Sequence, residues 1–192
     1  MMTVNNLIAG IALMSLAPLA IAAGGDGIYV ALDAGRSTFK NSCKNAPSIY
    51  TSCKDYDFSN RFSFGKMVAD LTFVEIGYYS SGHATKKGAG SNSELIDSVE
   101  WQFSGIRLYP IGNGRFSVMG RLGIVHWEAA QVNASSRVNT SGNDILLGIG
   151  GKYFLTKDTS VRLFYESHKV GNSSLTWRGN VRFFSAGLTH EL

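Results

Sequence analysis

Glu75, Arg121, Lys152, Arg162 and Glu166 each sit between apolar or small neighbours, in stretches where apolar and polar residues alternate. Side chains at alternate positions of a strand point to opposite sides. These five would therefore share an interior with Asp33 and His168 while Val74, Ile76, Leu122, Ile124, Val161, Leu163 and Tyr165 face away. Charges in a narrow, poorly hydrated space must be paired, or they cost several kcal/mol. Glu75 is expected to pair with Arg121 or Arg162, with Lys152 as a competing cation. Such a set can act as a gate that switches partners or as a static polar plug.

A second constellation is Glu166-Ser167-His168, followed by Asn172. A serine, a histidine and a carboxylate can build a nucleophile activated by a base. Ser167 precedes His168, however, and so points to the opposite face, while Val170 stands where a hydroxyl is needed. His126 and His190 read as outward-facing and His83 as a loop residue. With 2 cysteines and 4 histidines and no close ligand spacing, no metal site or cofactor is expected.

The elements that must hold these residues are eight alternating stretches, at 27–39, 58–68, 71–82, 98–110, 115–128, 143–155, 159–170 and 180–192. Long polar segments at 40–57, 83–97, 129–142 and 171–179 alternate with short turns at Ala69-Asp70, Ile111-Gly112-Asn113-Gly114 and Thr156-Lys157-Asp158. Asn-Gly and Asp suit tight hairpins. Each stretch fits a tilted crossing of about 9–11 residues. The pattern predicts an all-β, eight-stranded antiparallel up-and-down transmembrane β-barrel with four extracellular loops and both termini on the short-turn rim. A soluble barrel alternates too, with its apolar face inward. The glycine-rich, charged polar face and the aromatics toward strand ends (Tyr29, Phe39, Trp101, Tyr109, Tyr153, Phe154 and Tyr165) favour a membrane barrel with interface girdles.

The 192 residues leave room for one domain, expected over 23–192. Residues 1–22 read as a cleavable signal peptide: Leu7 to Ala23 is apolar, and Ala20-Ile21-Ala22 is an A-x-A box. Met1 to Asn6 carries no Lys or Arg, which departs from that pattern and leaves an uncleaved anchor as the alternative. Net charge is +4, with cations scattered rather than clustered, which argues against nucleic-acid binding. Export permits a Cys43–Cys53 disulfide, closing a loop of about ten residues and contributing ~2–3 kcal/mol; two free thiols are the alternative.

Glu75-Ile76-Gly77-Tyr78, Tyr109-Pro110-Ile111, Arg121-Leu122-Gly123, Arg162-Leu163 and Gly187-Leu188-Thr189-His190-Glu191-Leu192 together resemble the outer-membrane protein A (OmpA) barrel domain and related small OmpX-type barrels, over essentially the whole mature chain. The resemblance implies a salt-bridge network in the lumen, associated with a small gated channel, on Glu75 and Arg162. It also implies a terminal assembly signal on Gly187, His190 and Leu192, read by the barrel-assembly machinery. Departures are Lys152 where that family often has Glu, Ile106 where it often has Lys, and Leu192 and His190 where it usually has aromatics. No wall-binding domain is expected after Leu192, so the wall-anchoring role of full-length OmpA proteins is not implied.

The expected function is therefore that of a non-enzymatic, monomeric protein of the cell outer membrane, among lipids including lipopolysaccharide. It would serve a structural, small-solute pore or surface-interaction role. The alternatives are a lipid A deacylase-like enzyme of the outer leaflet and an adhesin whose loops use Lys86, Lys87, Arg137 and Lys169 to bind phosphates or a host surface.

Overall fold

The computed structural model describes residues 27–44, 48–89, 93–112, 115–133, 136–175 and 177–192. The signal-peptide reading and the Asn113-Gly114 turn lie outside them. The described strands are β1 (Ile28–Phe39), β2 (Tyr50–Lys54), β3 (Tyr56–Ala69), β4 (Thr72–Gly88), β5 (Ser93–Ile111), β6 (Phe116–Asn133), β7 (Arg137–Phe154), β8 (Thr159–Val170) and β9 (Gly179–Glu191). All except β2 join one antiparallel ring in which β1 pairs with both β3 and β9, and β4 pairs with β5. Closure removes the sheet edges that lipid cannot solvate. β2 is an extra strand inside the segment read as a loop, and it pairs with β4 at Thr85–Gly88, beyond the end of the β3–β4 ladder.

The outer face explains why these residues cross a membrane. Leu32, Phe62, Ile76, Trp101, Phe103, Leu122, Ile124, Leu147, Ile149 and Leu163 all project outward and exposed. A polar chain in water would bury such a band; a chain in lipid displays it. The short-turn rim is built locally. Leu71 takes a positive φ of 55° between β3 and β4, and Gly112 one of 64° after β5. Thr156 Oγ1 accepts from the Asp158 and Thr159 amides in the β7–β8 turn.

Two expectations need correction. The segments 83–97 and 129–142 are not long loops, because β4, β5, β6 and β7 run on through them as hairpins of 17 to 19 residues per strand. A strand of 19 residues exceeds a membrane crossing about twofold. The extensions escaped detection because their alternation inverts: Ala84, Ile96, Trp127 and Ala129 are buried inside, while Asp97 and Glu128 face out. Outside the membrane the outer face meets water, so apolar residues turn inward. The second correction concerns aromatics. Tyr29 and Phe39 are buried in the lumen, on the same face of β1 as Asp33, and Phe154 packs half-buried against the lower lumen cluster beside Lys152, so these three belong to no girdle. Apolar clusters fill both ends of the lumen, Tyr29, Phe73, Ile106, Leu108 and Met119 below, Phe39, Ile96, Val125, Trp127, Trp177 and Val181 above. The middle is ionic.

Candidate functional site: the lumen ring and the extracellular sheet

Three arginines and three carboxylates form a closed ring across the lumen. Asp33 comes from β1, Arg61 from β3, Glu75 from β4, Arg121 from β6, and Arg162 and Glu166 from β8. Arg61 Nε donates to Asp33 at 2.9 Å, and Arg162 donates to Asp33 at 2.6 and 2.8 Å. Arg162 also donates to Glu75 at 2.6 Å, and Arg121 lies 3.0 Å from Glu75. Arg121 donates to Glu166 at 2.5 Å, and Arg61 closes the ring on the other Glu166 oxygen. Cations and anions thus alternate around the circuit, and their charges cancel. The side chains are 0–3% exposed. Tyr29 donates to Glu75 at 2.8 Å, and Arg121 Nε to Ser104 Oγ at 2.8 Å.

Phe164 occupies the centre. Its ring centroid lies 5.5, 5.7 and 5.3 Å from the guanidinium carbons of Arg61, Arg121 and Arg162. These are cation–π distances, and desolvation strengthens such contacts. The closeness of the strands also depends on Gly187, where an added Cβ would stand 2.1 Å from Asp33 Oδ1.

The ring joins Glu75, Arg121, Arg162 and Glu166 but not Lys152. Lys152 sits at the short-turn end, with Glu191 at 3.8 Å and the rings of Phe154, Phe73 and Tyr29 at 4.7, 5.5 and 5.7 Å. It is therefore no competing partner for Glu75. Sequence reasoning left Arg61 and Phe164 out and kept Asp33 out of the network. Parity carried the signal: exposed Phe62 and Phe64 on β3 put Arg61 inside, and Arg162 and Glu166 on β8 put Phe164 inside with them.

Above the ring lies a hydroxyl layer. His168 Nε2 is 2.8 Å from Glu100 Oε1, and Ser98 Oγ donates to the same carboxylate at 3.3 Å. Ser59 Oγ donates to Ser37 Oγ at 2.6 Å, and Tyr79 OH meets Ser37 Oγ. His168 is buried and faces a β5 carboxylate, while Ser167 points outward toward Asn180. The Glu166-Ser167-His168 run does not converge on one site.

The long-connection end is an open sheet. β7 pairs with β8 only from Leu147 to Phe154, so Arg137 to Leu146 have a ladder partner in β6 alone. Asn172 Nδ2 donates to Thr140 Oγ1 at 2.6 Å across the gap. At the other side of the sheet, β2 pairs with β4 alone. The structure joins Cys43 to Cys53 beside it, with Cα atoms 5.7 Å apart. Lys86 Nζ donates to Glu94 at 2.8 Å, and Tyr50 OH to the same carboxylate at 3.3 Å. Burial and the Glu94 carboxylate both push the Tyr50 hydroxyl above its usual range. Of the loop cations, Lys86 is thus engaged, and Arg137 bonds Asn139 at 3.0 Å.

His190 faces outward, with Nδ1 3.1 Å from Thr159 Oγ1, and the Leu192 amide donates to Ile28 O at 2.9 Å. His126 also faces outward, its Nδ1 2.8 Å from Asn143 Oδ1.

The chain was compared with known proteins. Neisserial surface protein A (NspA) superposes with a TM-score of 0.64 at 16% identity, covering 86% of this chain and 97% of that one. The N-terminal β-barrel domain of Pseudomonas aeruginosa OprF gives 0.53 at 12%, covering 86% and 98%. Ail, the attachment invasion locus protein of Yersinia pestis, gives 0.52 at 12%, also covering 86% and 98%. At such identities these likenesses describe the fold. No curated protein sequence matches the chain significantly. The model of the outer membrane protein beta-barrel domain family matches residues 7–189. That match spans nearly the whole sequence, and with the closed ring and its apolar outer band it makes the chain a member of that family, resident in the outer membrane.

Proposed function

We propose that the barrel is a non-enzymatic, non-conducting anchor that holds an extracellular β-sheet out for contact with other surfaces. The observation that carries this reading is the unpaired edge of β7. Arg137 to Leu146 leave backbone donors and acceptors without a ladder partner on the β8 side. The edge shows no register shift against β6 and contains no proline. Exposed edges of this kind pair with extended segments of other chains unless they are blunted. A cleft of about 510 Å³ lies against it, with Asp97, Glu128, Arg137 and Ser141 in its walls. The pore reading fares worse, because the balanced ring fills the middle of the lumen and apolar clusters pack above and below it. The enzyme reading lacks, among the described residues, a serine hydroxyl bonded to His168: Ser98 donates to Glu100 instead. On this view Gly187, His190 and Leu192 serve barrel closure and, as a terminal β-signal, delivery to the assembly machinery.

Adhesion tests the reading. Bacteria displaying the protein should attach to host-cell monolayers, and Thr140→Pro with Asn143→Pro should remove that attachment while the barrel stays folded and surface-exposed. Attachment unaffected by both prolines would overturn it.

A further inference from the structure

Among the described residues, three outward cations on adjacent strands stand together without an ion pair. Arg36 on β1 projects outward between Phe58 and Phe184, its register partners on β3 and β9, and both phenylalanines are exposed. Its guanidinium carbon rests 3.8 Å over the Tyr56 ring. One step toward the extracellular end, Arg182 on β9 stands between Thr38 and Ser167. One step further, Lys169 on β8 stands opposite Asn180. The three form a diagonal across adjacent strands, where neighbouring positions are roughly 7–8 Å apart. Among the described residues, none of them makes an ion pair; outward Lys66 and Arg107, toward the short-turn end, make none either, and what sets these three apart is their grouping on three adjacent strands.

Their place decides what they meet. Tyr165, Phe184 and Leu163 lie just below on the same face, exposed as part of the lipid band. An arginine against acyl chains is costly, and one against an anionic headgroup is favourable. Guanidinium groups bind phosphate bidentately, and the stacking on Tyr56 fixes one of them in advance. The outward carboxylates Asp97 and Glu128 lie on β5 and β6, away from this face, while the Asp144 carboxylate is held by the Lys169 amide at its upper edge and leaves Arg36 and Arg182 as the principal anion contacts. The rigid strands supply the spacing that flexible loop lysines cannot.

We infer that the outward face of β8, β9 and β1 is a binding site for a phosphorylated lipid of the outer leaflet. Arg36 and Arg182 hold its phosphate, Lys169 approaches from above, and its chains lie along Phe184, Tyr165 and Leu163. Its two arginines lie on β1 and β9, away from the β7 edge, which the site meets at Lys169 through the Asp144 carboxylate; the site would stand if the adhesion reading fell.

The test uses the refolded protein in zwitterionic bicelles, titrated separately with diphosphorylated lipid A, dephosphorylated lipid A and inorganic phosphate. Binding is read by native mass spectrometry and by the rise in Tm. Diphosphorylated lipid A should bind at least tenfold more tightly than the dephosphorylated form, and inorganic phosphate should neither raise Tm nor compete at equal concentration. Arg36→Gln with Arg182→Gln should lose at least tenfold in affinity for diphosphorylated lipid A, while Lys66→Gln and Lys86→Gln keep it. Should the double variant fail to refold, Arg182→Gln and Lys169→Gln alone should each lose severalfold. Equal binding of the two lipids, undiminished binding by these variants, or full competition by inorganic phosphate would overturn the inference.

Discussion

Arg162 lies inside the barrel and donates to Asp33 and Glu75, while Arg36, two strands away, faces outward and touches only the Tyr56 ring. Both are held on rigid strands of the same sheet. The difference lies in the medium each one meets. Inside, no water can replace a missing partner, so every ring charge has two neighbours of opposite sign. Outside, mobile anions and lipid headgroups are at hand, and the chain leaves the charge open. Pairing is thus a condition the dry lumen imposes and the outer face does not.

The largest effect should come from opening the ring. Glu75→Ala leaves Arg121 and Arg162 each short of a carboxylate in a desolvated space, and should destabilise the barrel by about 3–5 kcal/mol in urea unfolding. Combining Glu75→Arg with Arg162→Glu should not rescue it. Although a simple pair would tolerate the exchange, this ring would set the new cation against Arg121 and the new carboxylate against Asp33. Recovery of most of the stability would break the ring description.

Next comes the covalent tie on the extracellular side. Cys43→Ser with Cys53→Ser should cost about 2–3 kcal/mol by loop entropy, confined to the first long connection. Hydrogen exchange should quicken over β2 and stay unchanged at Glu75 and Arg162. A smaller effect, about 1–3 kcal/mol, is expected for Gly187→Ala, whose new methyl must displace the Asp33 carboxylate. Heat-modifiable gel migration would show that barrel opening at a lower temperature. The least effect is predicted for Arg36→Gln with Arg182→Gln. In phosphate-free detergent their unfolding free energy should stay within about 0.5 kcal/mol of the parent protein's, because exposed cations contribute little. A loss as large as that of Glu75→Ala would erase the distinction between the two regions.

Alternation along the chain was enough to read the eight barrel strands and the inward sense of Glu75, Arg121, Arg162 and Glu166. Period two survives wherever one face meets lipid. It fails in 83–97 and 129–142, where the outer face meets water and the apolar residues, Ile96 and Trp127 among them, move inside. β2 gave no signal because both of its faces are polar or exposed. Which charge meets which was harder to read. Partners depend on the stagger between strands that are distant in sequence, such as β1 and β8 for Asp33 and Arg162, 129 residues apart. Stagger also carries Lys152 away from the ring, to the level of Glu191. The open β7 edge follows from β8 being shorter than β7, which a strand-by-strand reading cannot weigh.

A gate needs a cation free to change partners and a wet path on either side. The ring has three carboxylates for three arginines, and apolar clusters close both ends. Conductance in planar bilayers measures this directly. The refolded mature chain should show no discrete channel steps in molar salt, and Glu75→Ala, although less stable, should show none while it remains folded. Reproducible steps in the parent protein that change with Glu75→Ala would contradict the closed ring and restore the gate.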